Sequence, residues 1–361
     1  MSSFEGYNPP VDRCYFCNGS NFRPHSEATY WQEFPLHFVE CKTCRLIFAN
    51  PMPNLQTIHE GNRALNIYHQ SRGTLSQYRG GKEFALSLKK IAPEGILLDV
   101  GCAEGFFLLG VQENSRWKAE GVEIIYSAVE FARTRLGITV YHGTLDTLDN
   151  MSGRFDFIRM NNVIEHVQHP LRFLEKAHQL LKTSGRIYCS TPNGFQDGHF
   201  LKTANKHGLR FNLLENHFFY YPPKTLWKMF ETCGFKIIRH YCEDISHSLN
   251  DFGISPRFKY PHENQRLTLS AFKNKLNEDF QISDEEIRSF KNHPQLKTWK
   301  LRLHRFRKEV FALKYRPCLP IGHQQLVYAE KARGDHSHTG TIKNKCVDQA
   351  RSIRCHFVSK E

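Results

Sequence analysis

The residues best suited to chemistry sit in one nine-residue run, Asp99-Val-Gly-Cys-Ala-Glu-Gly-Phe-Phe107, entered through the apolar triplet Ile96-Leu97-Leu98. The pattern reads as a strand, a turn with small residues at alternate positions (Gly101, Ala103, Gly105) and the start of a helix. Glycines at 101 and 105 permit a sharp turn and a close ligand approach, because neither carries a Cβ. The spacing is acid-x-G-x-A-x-G, not the G-x-G-x-x-G that seats a dinucleotide pyrophosphate on a helix. A carboxylate at Asp99 would repel a pyrophosphate and suits an ammonium or sulfonium group.

A second set of chemically capable residues lies near the amino terminus. Cys14-Tyr-Phe-Cys17 and Cys41-Lys-Thr-Cys44 are two CxxC pairs with 23 residues between them. Four thiolates in two close pairs match a tetrahedral structural zinc site, with a hairpin somewhat longer than the usual spacing. Neither pair sits in a βαβ context, which disfavours a redox motif. Two disulfides are disfavoured without a secretory signal. Four cysteines leave no open position for substrate, so the expected role is structural: the metal holds together a segment too small to bury its own core.

With these residues the chain resembles the class I S-adenosylmethionine-dependent methyltransferases, whose first motif has the form seen at 99–105. The resemblance implies an acid at the end of the next strand. Glu123, in Trp117-Lys-Ala-Glu-Gly-Val-Glu-Ile124, stands there, 24 positions after Asp99. That is near the roughly 20-residue gap from glycine loop to ribose-binding acid in a βαβ unit. A carboxylate can accept hydrogen bonds from both ribose hydroxyls. The resemblance also implies that the turn His142-Gly-Thr-Leu-Asp146 borders the adenine, with Thr144 and Leu145 as its neighbours. Asn161, where the fourth strand exits, joins the cofactor candidates. The segment Val163-Ile-Glu-His-Val-Gln-His-Pro170 is expected to close the cofactor pocket and face the substrate. The ribbon belongs to the same likeness. Cys41 to Pro53 is similar to the second knuckle of a methyltransferase group that carries a four-cysteine ribbon before the catalytic domain; Arg45 stands where that group often has Gly. Members often act on sugars or other small molecules.

The chemistry implied is methyl transfer by in-line displacement, in which the protein mainly aligns donor and acceptor. A hydroxyl or carbon-acid acceptor is helped by a general base. His166 is the first candidate base and His217 the second, each with a structural hydrogen-bonding role as its alternative. Related O-methyltransferases can place another acid just before the Glu-His pair and use a divalent metal. Asn161 and Asn162 occupy that region here, which argues against catalytic magnesium. No Asn/Asp-Pro-Pro-Tyr/Phe run follows the fourth strand, which argues against DNA amino-methylation.

The elements that must position these residues alternate. Strands are expected at 96–100, 117–124, 138–141, 155–162, 186–190, 235–241 and 324–331, with helices at 83–91, 127–136, 170–182 and 223–233. This order predicts an α/β fold with a doubly wound, mostly parallel seven-stranded sheet, Rossmann-like, and ligands beyond the carboxyl ends of its strands. The expected organisation is a zinc ribbon at 10–53, a helical linker or lid at 54–92 and a methyltransferase domain at 93–333. A basic helical insertion at 246–322 precedes the last strand, and a polar, poorly ordered tail covers 334–361. Tyr68 and Tyr78 in the linker are candidates to touch the cofactor, or are surface residues of a connector.

Charge separates two classes of partner. The chain carries 49 Lys and Arg against 36 Asp and Glu, and residues 246–361 hold 22 and 12 of these. The basic excess therefore belongs mostly to the carboxyl-terminal part. A helix expected at 298–314 sets Trp299, Leu303, Phe306, Val310 and Leu313 on one stripe and Lys and Arg on the others. It is either a cover helix with a solvated basic side or a surface for an anionic substrate. No apolar run reaches the roughly 20 residues of a membrane span, and the start lacks the features of a signal peptide. The reading is a cytoplasmic S-adenosylmethionine-dependent methyltransferase with structural zinc, acting on a small-molecule, sugar or glycan acceptor through O- or C-methylation. Its alternatives are an RNA methyltransferase gripping phosphates with ribbon and basic region, and a non-catalytic cofactor-binding scaffold. Nothing in the sequence fixes the oligomeric state.

Overall fold

A computed structural model of the chain describes residues 6–30, 34–58, 73–206, 208, 212–213, 217–243, 282–292 and 322–332. Residues Met1–Lys331 form one unit, and Ala332–Glu361 a second that lies outside the described residues. Tyr68, the helix expected at 298–314 and the tail at 334–361 also fall outside them.

The strands in chain order are β1 (Phe22–Tyr30), β2 (Phe34–Cys41), β3 (Ile47–Ala49), β4 (Ile96–Val100), β5 (Lys118–Glu123), β6 (Thr139–His142), β7 (Phe155–Asn161), β8 (Leu181–Pro192), β9 (Asn212–Leu213), β10 (Phe219–Tyr220), β11 (Phe235–Glu243) and β12 (Gln324–Lys331). The helices are α1 (Thr74–Lys89), α2 (Phe106–Asn114), α3 (Tyr126–Arg135), α4 (Pro170–Leu180), α5 (Gly194–Lys206), α6 (Pro223–Thr232) and α7 (Asp284–Asn292).

Seven strands form the main sheet in the order β11-β12-β8-β7-β4-β5-β6. The pairs from β8 to β6 are parallel, while β12 runs antiparallel to both β8 and β11. The expected doubly wound sheet is thus present. Its central strand β4 is covered on both faces, so Leu97, Leu98 and Val100 are all buried, as a parallel strand between helical layers must be. The fold places the carboxyl ends of β4, β5 and β7 together, where the chemistry-bearing residues lie.

Two differences from the sequence reading concern extent. The linker helix begins at Thr74 rather than at residue 83. Its surface is shaped by glycine: a Cβ on Gly81 would come within 2.0 Å of the Phe107 carbonyl oxygen, and one on Gly110 within 2.1 Å of the Tyr78 carbonyl oxygen. Helices α1 and α2 therefore cross in backbone contact. Tyr78 is not a surface residue. It is buried against Phe290 of α7 and donates to Glu113 Oε2 at 2.7 Å. The fifth strand of the main sheet also runs longer, from Leu181 to Pro192.

The amino-terminal strands make a second sheet, ordered β10-β3-β2-β1-β9. The hairpin strands β1, β2 and β3 pair antiparallel, and the flanking strands come from residues 212–220. The ribbon is therefore completed on both edges by chain that follows β8, and it shares an apolar core with the main sheet: Phe48, Phe218 and Phe219 are buried in one cluster with Met160 and Ile187. Among the described residues no helix is long and apolar enough to cross a membrane.

Candidate functional site

The loop after β4 takes the conformation its small residues allow. Gly101, Ala103 and Gly105 have φ of 69°, 49° and 82°. Left-handed backbone is easy for glycine and costs a residue with a Cβ about 1–2 kcal/mol, so the cost falls on Ala103. A Cβ on Gly101 would also lie 3.0 Å from Val163 Cγ2, which makes that position a close approach as well as a turn.

Glu123, at the carboxyl end of β5, binds this loop. Its Oε2 accepts the Ala103 N–H at 3.0 Å, and its Oε1 accepts the N–H groups of Ile124 and Ile125 at 2.8 and 3.0 Å. Burial raises its pKa, against the pull of these three N–H donors. A carboxylate has about four acceptor positions, so one on Oε2 remains for a ligand hydroxyl while the loop stays intact.

Asp99 is buried and forms an ion pair with Arg159 Nη1 at 2.6 Å. The two face each other in register across β4 and β7, and the guanidinium lies 3.7 Å from the centre of the Phe107 ring. Burial still holds the Asp99 pKa above its ordinary value. The pair cancels much of the field that an isolated Asp99 would have offered to a sulfonium. Arg159 was missed in the sequence; the signal was a cation inside an otherwise apolar strand, which needs a buried partner.

Thr144 is exposed, and its Oγ1 accepts the Asp146 N–H to start a short 3-10 turn. The Leu145 side chain is buried in the core, so what this residue presents to a ligand is backbone. Asn161 is exposed at the end of β7, where its Oδ1 accepts the Ser190 hydroxyl at 2.9 Å. The cofactor candidates Asp99, Gly101, Ala103, Gly105, Glu123, Thr144 and Asn161 thus all lie at the carboxyl ends of β4 to β7 or in the loops that leave them.

The candidate bases come together. His166 ends a short 3-10 turn after β7, and His217 precedes β10; their ring centroids are 5.1 Å apart. Glu165 is fully buried beside them, and the ligand atoms of Glu165, His166 and His217 lie within 4.8 Å of one another. Burial, with His166 and His323 nearby, pushes the His217 pKa well down, so its imidazole is neutral near pH 7. A neutral imidazole can take a proton, and one carboxylate with two imidazoles is also a donor set that a divalent metal accepts. Glu165 was not singled out in the sequence; a carboxylate directly after Val163-Ile164 in an apolar context was the available signal.

The four amino-terminal cysteines also converge. Cys14 and Cys44 sulfurs are 3.5 Å apart, as are those of Cys17 and Cys41, and all four lie within 4.8 Å. Zn–S bonds of about 2.3 Å place tetrahedral sulfurs about 3.8 Å apart, so the donor set fits zinc in number, type and spacing. The Cys44 thiol beside Cys14 favours its thiolate, lowering that pKa to about 5 and raising that of Cys44. The two knuckles share a geometry. Asn18 and Arg45, each following the second cysteine, have φ of 59° and 69° and donate their N–H to the first cysteine's carbonyl. Arg45 adopts the turn despite its Cβ, and its Nε reaches Glu40 at 2.6 Å.

Residues 74–240 match the family model described as a methyltransferase domain. The matched residues, under half of the chain, are similar to that family. The matched segment contains the glycine loop, Glu123 and the His166–His217 cluster, and it leaves the cysteine segment outside. Over 118 residues the chain is 33% identical to a ubiquinone biosynthesis O-methyltransferase from Ruegeria sp. (strain TM1040), covering 31% of this chain and 47% of that protein. Over 102 residues it is 33% identical to the protein of that name from Ruegeria pomeroyi, covering 27% and 41%. The chain thus spans about half or less of the length of these curated relatives. Among solved structures, a SAM-dependent methyltransferase from Thermotoga maritima is 16% identical with a TM-score of 0.42, covering 75% of this chain and 99% of that one. One from Archaeoglobus fulgidus is 14% identical with a TM-score of 0.38, covering 70% and 94%.

Proposed function

We propose that this protein is an S-adenosylmethionine-dependent methyltransferase that methylates an oxygen of a small-molecule acceptor. The observation that carries the reading is Glu123: a buried carboxylate at the end of β5 that accepts the Ala103 N–H of the glycine loop and the Ile124 and Ile125 N–H groups, with one acceptor position left on Oε2. The positive φ values at 101, 103 and 105 make a loop over which a ligand can lie against the main chain. The O-methyltransferase names of the curated relatives support an oxygen acceptor. A sugar or glycan acceptor, and transfer to carbon, remain compatible with the same residues.

S-adenosylmethionine would supply an activated methyl on its sulfonium. Glu123 would hold the ribose, the 101–105 loop the remainder of the nucleoside and amino-acid parts, and the 144–145 backbone the adenine edge. The acceptor hydroxyl would lie beside His166 and His217, and one imidazole would take its proton as the oxygen attacks. His166 is the first candidate, and burial holds the His217 pKa well down, which keeps that imidazole neutral. Zinc on Cys14, Cys17, Cys41 and Cys44 would be structural, fixing the knuckles that lead into β1 and β3.

The test is titration of S-adenosylmethionine into the full chain by calorimetry, followed by incubation of labelled cofactor with fractionated extract. One-to-one binding and label in small metabolites are expected. No binding would refute the reading; label in RNA would move it to nucleic-acid methylation. Metal analysis of the same sample should find about one zinc per chain.

A further inference from the structure

A cavity of about 1050 Å³ opens away from the methyl-transfer residues, between the ribbon and helices α5 and α6. None of Asp99, Gly101, Glu123, His166 or His217 lines it. Its charged lining is one-sided: Arg23, Arg45, Lys202, Lys224 and Lys228 against the single carboxylate of Glu40. Glu40 is 4% exposed and is already engaged, by Arg23 at 2.7 Å and Arg45 at 2.6 Å. Among the described residues, no carboxylate lies within ion-pair distance of Lys202, Lys224 or Lys228. A zinc ion on four thiolates would add a net charge of about −2 at Cys17 and Cys44 on one wall, and the five cations still outweigh it and Glu40 together. His25 is also in the lining. Burial lowers its pKa to about 4, with Lys202, Arg23 and Arg45 adding to the fall and Glu40 opposing it.

The cavity is close to the reacting end of the domain. Gly194 and Phe195 form part of it, and they follow Ser190, which hydrogen-bonds Asn161. Four residues of chain span at most about 14 Å, so the near wall lies within that distance of the carboxyl end of β8. The backbone there offers no spare donors: the Gly194 N–H is given to the Tyr221 carbonyl and the Phe195 N–H to Asn193 Oδ1. The side chains that line the cavity include lysine, arginine, histidine, Thr43, Thr225 and the flat Phe16 and Phe195 rings. Lysine ammonium groups act as point charges toward phosphate, and arginine forks grip it bidentately.

We propose that this cavity is a phosphoryl-binding subsite, built from Lys202, Lys224 and Lys228 with the Arg23–Arg45 pair behind them, for a phosphorylated small molecule. This deepens the methyltransferase reading and rests on it for any link to the acceptor. The phosphoryl group belongs either to the methyl acceptor or to a separate small ligand.

Inorganic pyrophosphate titrated by calorimetry into the zinc-loaded full chain tests the site itself. Binding is expected, and the Lys202→Gln/Lys224→Gln/Lys228→Gln variant should bind about tenfold more weakly. Replacing the same three lysines by arginine should keep the affinity. S-adenosylmethionine affinity should be the same in all three proteins, which shows that the variants fold. No pyrophosphate binding by a chain that does bind S-adenosylmethionine overturns this proposal and leaves the methyltransferase reading standing. Failure to bind S-adenosylmethionine overturns that reading instead. Binding of a single-stranded RNA oligomer without measurable pyrophosphate affinity also overturns the proposal, in favour of a surface that tracks a nucleic-acid backbone. Phosphatase treatment of the extract separates the two sources: methyl acceptance is lost if the acceptor carries the phosphoryl group and persists if the ligand is separate.

Discussion

The proposed cofactor side and the proposed acceptor side are built in different ways. On the cofactor side, Glu123 accepts the Ala103 N–H of the 101–105 loop and the N–H groups of the adjacent Ile124 and Ile125, all within one local stretch of chain. On the acceptor side, His166 leaves β7 while His217 arrives before β10, a strand that pairs with β3 of the ribbon. The Phe218 N–H donates to the Glu165 carbonyl at 3.0 Å, and the Tyr221 hydroxyl to the Ile164 carbonyl at 2.8 Å. The first site is local and held by its own backbone. The second exists only when distant segments dock. A fold made this way can keep the cofactor end constant while ribbon, β9 and β10 reshape the acceptor end.

If that division holds, substitutions on the two sides should separate binding from turnover. His166→Ala should lower kcat by about 100-fold or more, the range a general base contributes, while leaving S-adenosylmethionine affinity unchanged by calorimetry. Normal turnover would remove His166 as the base and shift attention to His217.

Glu123→Ala should do the reverse. Losing a ribose hydrogen bond to a charged acceptor and freeing three backbone N–H groups should weaken S-adenosylmethionine binding by about 10- to 100-fold. At saturating cofactor, kcat should fall much less. A variant that binds normally would show that this carboxylate only supports the loop.

The same division explains what could be read from the residues in order. Asp99, the glycines and Glu123 were legible because one βαβ unit fixes both their spacing and their geometry. The seven-stranded sheet was legible because strand-like runs such as Ile96–Val100, set between Gly95 and Gly101, alternate with helix-like segments. The Asp99–Arg159 pair was not, since it depends on the register of β4 beside β7, which no local pattern encodes. The burial of Tyr78 depends on two glycines, Gly81 and Gly110, that let α1 and α2 touch. The edges of the ribbon sheet were hidden for a similar reason. Strands of two residues, Asn212–Leu213 and Phe219–Tyr220, carry no periodicity. The four-cysteine cluster was visible as two CxxC pairs; that the knuckles' hairpin is closed by chain far along the sequence was not.

The smallest expected effect is a difference in how the two sides respond to acid. Behind the acceptor side, His240 is 5% exposed, and Gln325 links it to the bends that follow β8 and β10. His240 Nε2 lies 3.2 Å from Gln325 Oε1, and Gln325 Nε2 donates to the carbonyls of Tyr221 and Pro192 at 2.6 and 3.1 Å. Burial lowers the His240 pKa from 6.5 to about 4. Between those values the unfolded chain binds a proton that the folded chain refuses, so folding stability falls as pH drops from 6.5 toward 4, by about 2–3 kcal/mol at the lower end. The raised pKa values of Asp99 and Glu123 act in the opposite sense. There the folded state binds protons more readily, and stability rises as pH falls through the range just above the ordinary carboxylate values. His240→Gln keeps a donor for Gln325 and removes the titration. Urea unfolding at pH 7 and pH 4.5 should show a smaller acid loss than in the parent chain, with His25 and His178, both held near 4, and the lowered His169 and His217 accounting for the part that persists. An unchanged pH slope would mean that the His240 ring reaches water before the fold opens, and that the acceptor side loosens locally rather than with the whole domain.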